Sequence, residues 1–268
     1  MAITASDILL TGRVAVVTGG GAGIGRGIAQ GLAAFGASVA IWERDPDTCA
    51  AAAAAIGGLG LEVDVRDAAA VDTALDRTER ELGTVSILVN NAGGTFNSPL
   101  LDTSENGWDA LYRSNLRHVL LCTQRVARRL VAAEQTGSVI NVTSIEGSRA
   151  APGYAAYAAA KAGVVNYTKT ASFELAPYGI RVNGLAPDLT MTEGLQKLAF
   201  GELSGTVARM VPMRRAGHVD EMASAAVFLA SDMASYITGQ TIHVDGGTEA
   251  AGGWYFHPDN GAPTLGPA

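Results

Sequence analysis

Short runs of apolar residues alternate along this chain with longer amphipathic or alanine-rich stretches. The apolar runs are rich in Val, Ile and Leu, which is typical of parallel strands buried on both faces of a sheet. Strands are predicted at residues 13–18, 38–42, 59–65, 85–89, 138–142, 180–185 and 241–244. Helices are predicted at residues 26–35, 45–56, 68–82, 108–133, 154–177 and 219–230. Strands that alternate with helices in this way predict an α/β fold, a doubly wound parallel sheet with helices on both faces.

Two segments do not fit this alternation. Residues 190–213 are polar and loosely patterned, so we predict no strand there and interpret the segment as a mobile flap over the site. After Gly246 the chain is rich in Gly and Pro around the aromatic run Trp254, Tyr255 and Phe256. Three aromatic residues in a row predict a tail that docks on a neighbouring surface.

Composition narrows the class of protein. The chain has 268 residues, of which 48% are hydrophobic and 17% charged, which suits one large α/β domain spanning residues 1–268. Its net charge of −7 and the absence of a basic run argue against a nucleic-acid partner. Cys49 and Cys122 offer neither a disulfide framework nor metal-ligand spacing. No apolar run reaches the length of a membrane span and no signal peptide is recognised, so we expect a cytoplasmic protein without a membrane or metal partner.

The glycine-rich segment between the first strand and the first helix is the first candidate site. Residues 19–25 read G-G-G-A-G-I-G. Glycines let the backbone approach a pyrophosphate closely, and the helix that follows presents free N–H groups and the positive end of its dipole. A strand, a glycine turn and a helix in this order predict dinucleotide binding, although an ordinary tight turn gives the same pattern.

Acidic residues at the ends of the next two strands refine this prediction. Glu43 stands about 20 residues beyond the glycines, where a carboxylate accepts hydrogen bonds from ribose hydroxyls and repels a 2′-phosphate. Together with Ala22, it predicts NAD rather than NADP as the cofactor, whereas Arg44 favours NADP. Asp64 is interpreted either as a ligand of the adenine amino group or as a cap of the helix at 68–82.

Tyr157 and Lys161 are separated by three alanines, so they share one face of a predicted helix. A cation within about 4–6 Å lowers the pKa of a phenol, and a phenol tuned in this way acts as a general acid or base. The alternative is a packed tyrosine beside a solvated lysine. The pair alone does not decide between these interpretations.

Polar residues elsewhere converge on the same end of the predicted sheet. Residues 90–93 read N-N-A-G after the fourth strand, and Ser144 follows the fifth strand, where ligands bind in open parallel sheets. Asn115 lies inside a predicted helix, where an amide needs a partner such as a water or a carbonyl. A satisfied structural asparagine is the alternative.

With these residues assembled, the chain resembles the short-chain dehydrogenase/reductase family over residues 11–247. The resemblance rests on T-G-x-x-x-G-I-G at 18–25, N-N-A-G at 90–93, Asn115, Ser144, Y-x-x-x-K at 157–161, R-V-N-x-x-A-P at 181–187 and T-G-Q…V-D-G-G at 238–247. It implies a single Rossmann-type domain with a seven-stranded parallel sheet, usually assembled as a tetramer. It also implies reversible hydride transfer between a nicotinamide cofactor and an alcohol or ketone.

The resemblance assigns roles to individual residues. Tyr157 is expected to be the acid/base, Lys161 the neighbour that lowers its pKa, Ser144 the hydrogen-bond donor to the reacting oxygen and Asn115 the holder of a relay water. The residues expected to bind the cofactor are Gly19, Ala22, Gly23, Ile24, Glu43, Asp64, Val65, Asn91, Gly93, Lys161, Thr190 and Thr192.

Two departures from the family pattern stand out. Asp188 replaces the glycine that usually follows Pro187, and residues 248–268 extend the chain beyond the family's usual end. We expect that extension to dock on a neighbouring subunit of a homotetramer.

The substrate is the open question at this point. The expected pocket wall includes Phe96, Ile145, Leu189, Met191, Leu195 and Leu198. This mixture favours a small-molecule substrate that is an apolar, cyclic or steroid-like secondary alcohol or ketone. The alternative is a 3-oxoacyl thioester reductase that uses NADPH, with Arg125, Arg128 and Arg129 as a basic patch for a carrier protein. A sensor or scaffold that binds dinucleotide without turnover is a third interpretation, and the complete catalytic set argues against it.

Overall fold

The computed structural model describes residues 2–197 and 200–265, with the side chains of residues 196–204 excepted. Leu198, one of the residues expected in the pocket wall, lies outside the described residues.

A seven-stranded parallel sheet forms the centre of the molecule, in the order β3-β2-β1-β4-β5-β6-β9. Its strands are β1 (Val14–Thr18), β2 (Ser38–Glu43), β3 (Leu59–Glu62), β4 (Val85–Asn90), β5 (Gly137–Val142), β6 (Ile180–Pro187) and β9 (Thr241–Val244). Every residue of β1 and of β5 is buried, as the continuous apolar runs predict. The strand order reverses between β1 and β4, which places a crevice at their carboxyl ends.

Helices cover both faces of this sheet. The main ones are α1 (Gly23–Ala34), α2 (Pro46–Ile56), α3 (Ala68–Leu82), α4 (Glu105–Tyr112), α5 (His118–Ala132), α6 (Ala155–Leu175) and α9 (Val219–Ala230). On one face, α1 and α9 bury Ile28 and Val227 against β1. On the opposite face of the sheet, α3 and α5 bury Leu75 and Leu130. The predicted doubly wound α/β sheet is therefore confirmed.

Helices α1 and α9 approach each other closely because glycine lies at their contact. A Cβ atom at Gly27 would stand 2.8 Å from the Cβ of Val219, and one at Gly31 would stand 2.9 Å from that of Ala223. Any larger residue would push the two helices apart. None of the helices within residues 2–197 and 200–265 combines the length and the apolar character that a membrane span requires.

Several predicted boundaries are wrong for identifiable reasons. Helix α1 begins at Gly23 rather than at residue 26, so the last residues of the glycine motif already belong to the helix. Strand β3 ends at Glu62 rather than at residue 65, which leaves Asp64 and Val65 in the following loop. Strand β6 continues through Pro187, whose missing N–H does not interrupt its pairing with β9.

The helix predicted at 108–133 is also divided. Helix α4 begins at Glu105, where the Ser104 side chain caps it by accepting from the Gly107 amide. A π-helical segment, Arg113–Arg117, then separates α4 from α5. Such wide turns inside a helix are frequent at functional sites, and this one carries Asn115.

The segment predicted to lack strands contains two short helices and one strand. Strand β7 (Thr190–Met191) pairs with β8 (Gly217–His218), and α7 (Glu193–Lys197) and α8 (Phe200–Met210) lie between them. The tail also folds, into α10 (Thr248–Ala251) and an antiparallel hairpin of β10 (Trp254–Phe256) and β11 (Pro263–Leu265). The guanidinium of Arg214 lies 3.9 Å above the ring of Phe256, so the hairpin packs on its own chain.

Candidate active site

A cleft of about 710 Å³ opens at the crevice between the carboxyl ends of β1 and β4. Ten of the residues predicted to bind the cofactor line it: Gly19, Ala22, Gly23, Ile24, Glu43, Asp64, Val65, Asn91, Gly93 and Thr192. Thr190 is buried in β7 instead, and its hydroxyl donates to the Asp188 carbonyl. The sequence motifs therefore meet at one place, although they are spread over most of the chain.

The glycine turn fits a dinucleotide because side chains are excluded from its contact with the next loop. A Cβ at Gly19 would lie 2.9 Å from the Ala92 Cα, and one at Gly25 would lie 2.2 Å from the Gly19 carbonyl oxygen. Gly19 also has a φ of +62°, which glycine adopts without strain. Bare backbone at the start of a helix is the arrangement that a pyrophosphate requires.

The asparagine amides of the N-N-A-G motif tie the strand ends together. The Asn91 side-chain nitrogen donates to the Thr18 and Gly19 carbonyls, each at 3.0 Å. The Asn90 side-chain nitrogen donates to the Asn141 side chain at 2.9 Å. These bonds hold β1, β4 and β5 in fixed relation at the base of the cleft.

Glu43 faces the glycine turn from the end of β2. Its carboxylate accepts from the Gly21 amide at 3.3 Å and from the amides of Arg44 and Asp45 at 2.8 and 3.2 Å. Three backbone donors fix the carboxylate in the wall of the cleft. The side chain is thus an oriented hydrogen-bond acceptor rather than a freely solvated charge.

Asp64 is engaged by a residue that the sequence analysis did not single out. The Arg66 guanidinium donates to both Asp64 carboxylate oxygens, at 2.8 Å and 2.5 Å, and lowers the pKa of that carboxyl. The prediction that Asp64 caps α3 is wrong, because Asp67 accepts from the amides of Ala69 and Ala70. Opposite charges two residues apart were the only sequence signal for the Asp64–Arg66 pair.

Lys161 adjoins the far end of the cleft. A Cβ at Gly93 would lie 3.7 Å from its ammonium nitrogen, which also donates to the Val142 carbonyl at 2.9 Å. The same nitrogen lies 5.6 Å from the centre of the Tyr157 ring. The shared helix face predicted for Tyr157 and Lys161 is therefore present.

Burial sets the pKa values of this pair. Lys161 is 4% exposed, and loss of hydration lowers the pKa of its ammonium from 10.5 to about 8. Burial raises the pKa of the Tyr157 phenol, while a hydrogen bond with the Ser144 hydroxyl acts in the opposite direction. We expected the Lys161 charge to lower the Tyr157 pKa, but desolvation has the largest effect in this chain and raises it.

Asn115 holds the loop that follows β4. Its side-chain nitrogen donates to the Gly94 carbonyl at 2.8 Å and to the Leu111 carbonyl at 3.0 Å, and its side-chain oxygen accepts from the Gly94 amide at 3.3 Å. The amide is thus satisfied by protein groups. The π-helical turn that carries Asn115 places it between this loop and Lys161.

Three further charged or polar groups near the site escaped the sequence analysis. Arg149 donates to Glu146 at 2.8 Å and lies 3.7 Å from Asp188, whose pKa is raised by burial. His118 is fully buried one helical turn beyond Asn115. Glu193 contacts the start of α1 from the opposite wall. The contacts of Arg149 with Asp188 and of Glu193 with Gly23 join residues that no local pattern connects.

Comparison with known proteins now adds to this geometry. The family model described as enoyl-(acyl carrier protein) reductase matches residues 19–249. The 3-oxoacyl-(acyl-carrier-protein) reductase of Escherichia coli is 39% identical over 238 residues, which cover 88% of this chain and 97% of that protein. The chain belongs to the short-chain dehydrogenase/reductase family.

Solved structures of family members agree. A gluconate 5-dehydrogenase from Burkholderia cenocepacia, in complex with NADP and tartrate, is 38% identical with a TM-score of 0.87, covering 92% of this chain and 100% of that one. A short-chain type dehydrogenase/reductase from Mycobacterium marinum is 33% identical with a TM-score of 0.85, covering 90% and 97%. The short-chain dehydrogenase/reductase fold therefore extends over nearly the whole chain, and the seven-stranded sheet implied by the resemblance is confirmed.

Proposed function

We propose that this short-chain dehydrogenase/reductase catalyses reversible hydride transfer between a nicotinamide dinucleotide and a carbonyl or secondary alcohol, with Tyr157 as acid/base. The observation that carries the proposal is the Lys161 ammonium at Gly93, on the edge of the glycine-lined cleft and one helical turn from the Tyr157 phenol. The nicotinamide supplies or accepts the hydride. The chain supplies the proton, the charge and the orientation.

Each catalytic side chain has a distinct task in this proposal. Tyr157 donates a proton to the reacting oxygen during reduction and removes it during oxidation. Ser144 donates a hydrogen bond to that oxygen as negative charge develops there. Lys161 stabilises the phenolate through its charge. Asn115 fixes the loop at Gly94 and carries the backbone turn from which a relay water is held.

For the substrate we propose a 3-oxoacyl thioester first. Relatives named 3-oxoacyl-(acyl-carrier-protein) reductase support it, including the Chlamydia muridarum protein, which is 39% identical and matched over 98% of its length. Two of the three arginines in the basic patch predicted for a carrier protein are already paired within the chain. Arg125 is paired with Asp72 at 2.7 Å, and Arg129 with Asp76 and Glu79 on α3. The substrate proposal therefore concerns the acyl group rather than its carrier.

An apolar secondary alcohol or ketone is the second candidate. Phe96 lines the cleft and is 45% exposed, which offers a ring to an apolar substrate. Acetoacetyl-coenzyme A and a panel of cyclic alcohols and ketones, each with NAD(H) and NADP(H), separate the two candidates by the absorbance of the reduced nicotinamide. Turnover of the thioester alone supports the first candidate and turnover of the panel alone supports the second. Absence of turnover in every combination would contradict the proposed reaction.

NAD is the cofactor that we propose. The support is the Glu43 carboxylate, held by three backbone amides at the position where a ribose hydroxyl or a 2′-phosphate would meet it. The NADP bound to the Burkholderia cenocepacia relative shows that the family also accommodates the phosphorylated cofactor.

We further propose that the protein is a homotetramer. Large apolar side chains are exposed on α4, α5 and α6, namely Trp108, Tyr112, Leu120 and Phe173, the last at 84%. Exposed apolar side chains of this size favour contact with a partner surface. The tail contributes Trp254, which is 54% exposed. Its neighbour Phe256 is already covered by Arg214 of the same chain, so only part of the aromatic run is free to meet another subunit.

A further inference from the structure

The amino end of helix α1 is in contact with a carboxylate side chain of the same chain. The backbone amide of Gly23, the first residue of α1, donates to the Glu193 carboxylate at 3.3 Å. The other oxygen of the same carboxylate is paired with Arg26, one turn further along the helix. Glu193 thus occupies two donors at the start of α1.

This contact is not a local cap. Glu193 is 170 residues from Gly23 in the sequence. The first turn of α1 has no acidic residue of its own, so its free N–H groups and its positive dipole end lack a local negative partner. The Thr192 side chain approaches the same glycine, since a Cβ there would lie 3.3 Å from the Thr192 methyl group. Thr192 and Glu193, at the start of α7, therefore contact the glycine turn.

The same amides line the cleft proposed for the dinucleotide. Gly23, Ile24, Thr192 and Glu193 all border the cavity of about 710 Å³. A pyrophosphate seated on the glycine turn needs the Gly23 amide as a donor. The amide has one hydrogen to give, and two anions that share one helix terminus repel each other. Glu193 and a phosphate therefore compete for the Gly23 amide.

We propose that Glu193 is an affinity-determining residue of this cleft, a carboxylate that competes with the pyrophosphate of the cofactor for the amino end of α1. The inference rests on the proposed function, because it takes the glycine turn as the pyrophosphate site. Binding of the dinucleotide displaces Glu193 from the Gly23 amide. The affinity for the cofactor is therefore lower than it would be without Glu193. The cofactor must first replace the contact between Glu193 and Gly23 that the free chain already makes.

The ionisation of Glu193 agrees with this role. Backbone amides and Arg26 lower the pKa of its carboxyl despite some desolvation. The group is therefore an anion throughout the neutral range, and the competition does not depend on pH there.

The test compares binding of ADP, adenosine and NADH by calorimetry to the wild type and to Glu193→Gln and Glu193→Ala. ADP carries the pyrophosphate and adenosine does not. We expect both variants to bind ADP and NADH about two- to fivefold more tightly than the wild type, the gain of removing one carboxylate from a helix terminus. Adenosine affinity is expected to stay unchanged.

The matched control is Asp47→Asn. It removes the same charge from the first turn of α2, beside Thr48, whose hydroxyl would lie 2.8 Å from a Cβ at Gly21. Among the described residues, no hydrogen bond joins Asp47 to α1. An equal gain in ADP affinity in this control would show a through-space charge effect and would overturn the competition. Weaker ADP binding in Glu193→Gln would overturn it as well, because it would show that Glu193 supports the site.

Failure of this inference is distinct from failure of the proposed function. A wild type that binds NADH and ADP, with variants that match it, overturns the role of Glu193 alone. A wild type that binds neither ligand overturns the dinucleotide site and the inference together.

Discussion

The Lys161 ammonium lies 5.6 Å from the centre of the Tyr157 ring, one helical turn away, and its hydrogen bond of 2.9 Å goes to the Val142 carbonyl. The charge is thus fixed beside the phenol by a strand of the sheet rather than by a carboxylate. Burial lowers the pKa of the lysine and raises that of the tyrosine. Both charged forms are therefore costly in the free chain, which is characteristic of a catalytic pair rather than a stabilising one.

Lys161→Met is expected to stabilise the fold while it abolishes activity. A pKa lowered from 10.5 to about 8 corresponds to about 3 kcal/mol of unfavourable free energy for the buried ammonium near neutral pH. Methionine removes this cost and loses the charged hydrogen bond to the Val142 carbonyl, worth about 1.5–3 kcal/mol, so the expected net gain is at most about 1.5 kcal/mol. Urea unfolding at pH 7 measures the difference between the two proteins.

The pH dependence of that difference has a definite sign. Between pH 8 and 10.5 the unfolded lysine keeps its proton while the folded one has lost it, so the stability of the wild type rises across this window. The difference in unfolding free energy between Lys161→Met and the wild type should therefore decrease over the same pH range. A variant less stable than the wild type at pH 7 would contradict the desolvation argument.

Tyr157→Phe is expected to lower turnover by about two to four orders of magnitude, the usual contribution of a positioned general acid or base. NADH binding should be unaffected, because the phenol hydroxyl serves the substrate rather than the dinucleotide. Steady-state rates and NADH fluorescence measure the two properties separately. Tyr167→Phe is the matched control on the same helix, since Tyr167 packs on the core between α5 and α6. Activity retained in Tyr157→Phe would exclude the proposed role.

Features that depend on neighbouring residues in the sequence could be predicted, whereas features that depend on contacts between distant elements could not. The strands of the sheet follow from apolar runs, and Tyr157 and Lys161 share a face because four residues make one helical turn. The π-helical segment at Asn115 and the ends of β3 and β6 depend on neighbouring elements, which a local pattern does not contain. The Tyr157 pKa depends on how much water the whole fold excludes, so its direction was predicted wrongly.

Long-range side-chain contacts form the remaining part of the site. Arg149 meets Asp188 and Arg26 meets Glu193 only after folding, across 39 and 167 residues respectively. Asp188 stands out in the sequence as a departure from the family pattern, but nothing in the sequence connects it with Arg149 or connects Arg26 with Glu193. Glycine positions were predictable for the opposite reason, since a Cβ atom at Gly19 or Gly25 would lie within about 3 Å of Ala92 or Asn91, which leaves no other choice of residue.

His118→Asn is expected to make the protein less sensitive to acid. His118 is fully buried, and desolvation together with the nearby Lys161 charge lowers its pKa from 6.5 to about 3. Between pH 6.5 and about 3, His118 is protonated in the unfolded chain but neutral in the folded one. The free energy of unfolding therefore falls by about 1.4 kcal/mol for each pH unit of acidification in this range. Urea midpoints between pH 7 and pH 4 should therefore fall less steeply in His118→Asn. Parallel slopes in the two proteins would show that His118 is protonated in the fold.

Glu43→Ala is expected to change the ratio of kcat/KM for NADP to that for NAD by at least about tenfold in favour of NADP. Loss of a charged hydrogen-bond acceptor weakens NAD binding by about 1.5–3 kcal/mol, and loss of the charge removes repulsion of the 2′-phosphate. Glu62→Gln, at the position paired with Glu43 in the neighbouring strand, controls for charge alone. An unchanged ratio in Glu43→Ala would show that this carboxylate does not read the ribose.

Phe173→Glu is expected to divide the proposed tetramer into smaller species. Phe173 is 84% exposed on α6, and a carboxylate buried there in an interface would cost several kcal/mol unless it were paired. Sedimentation velocity over a range of protein concentrations gives the mass directly. Tyr236→Glu places the same charge at a fully exposed aromatic residue in the loop between α9 and β9, and we expect it to leave the assembly intact. Identical masses for wild type and Phe173→Glu would remove α6 from the interface, and a monomeric wild type would contradict the assembly itself.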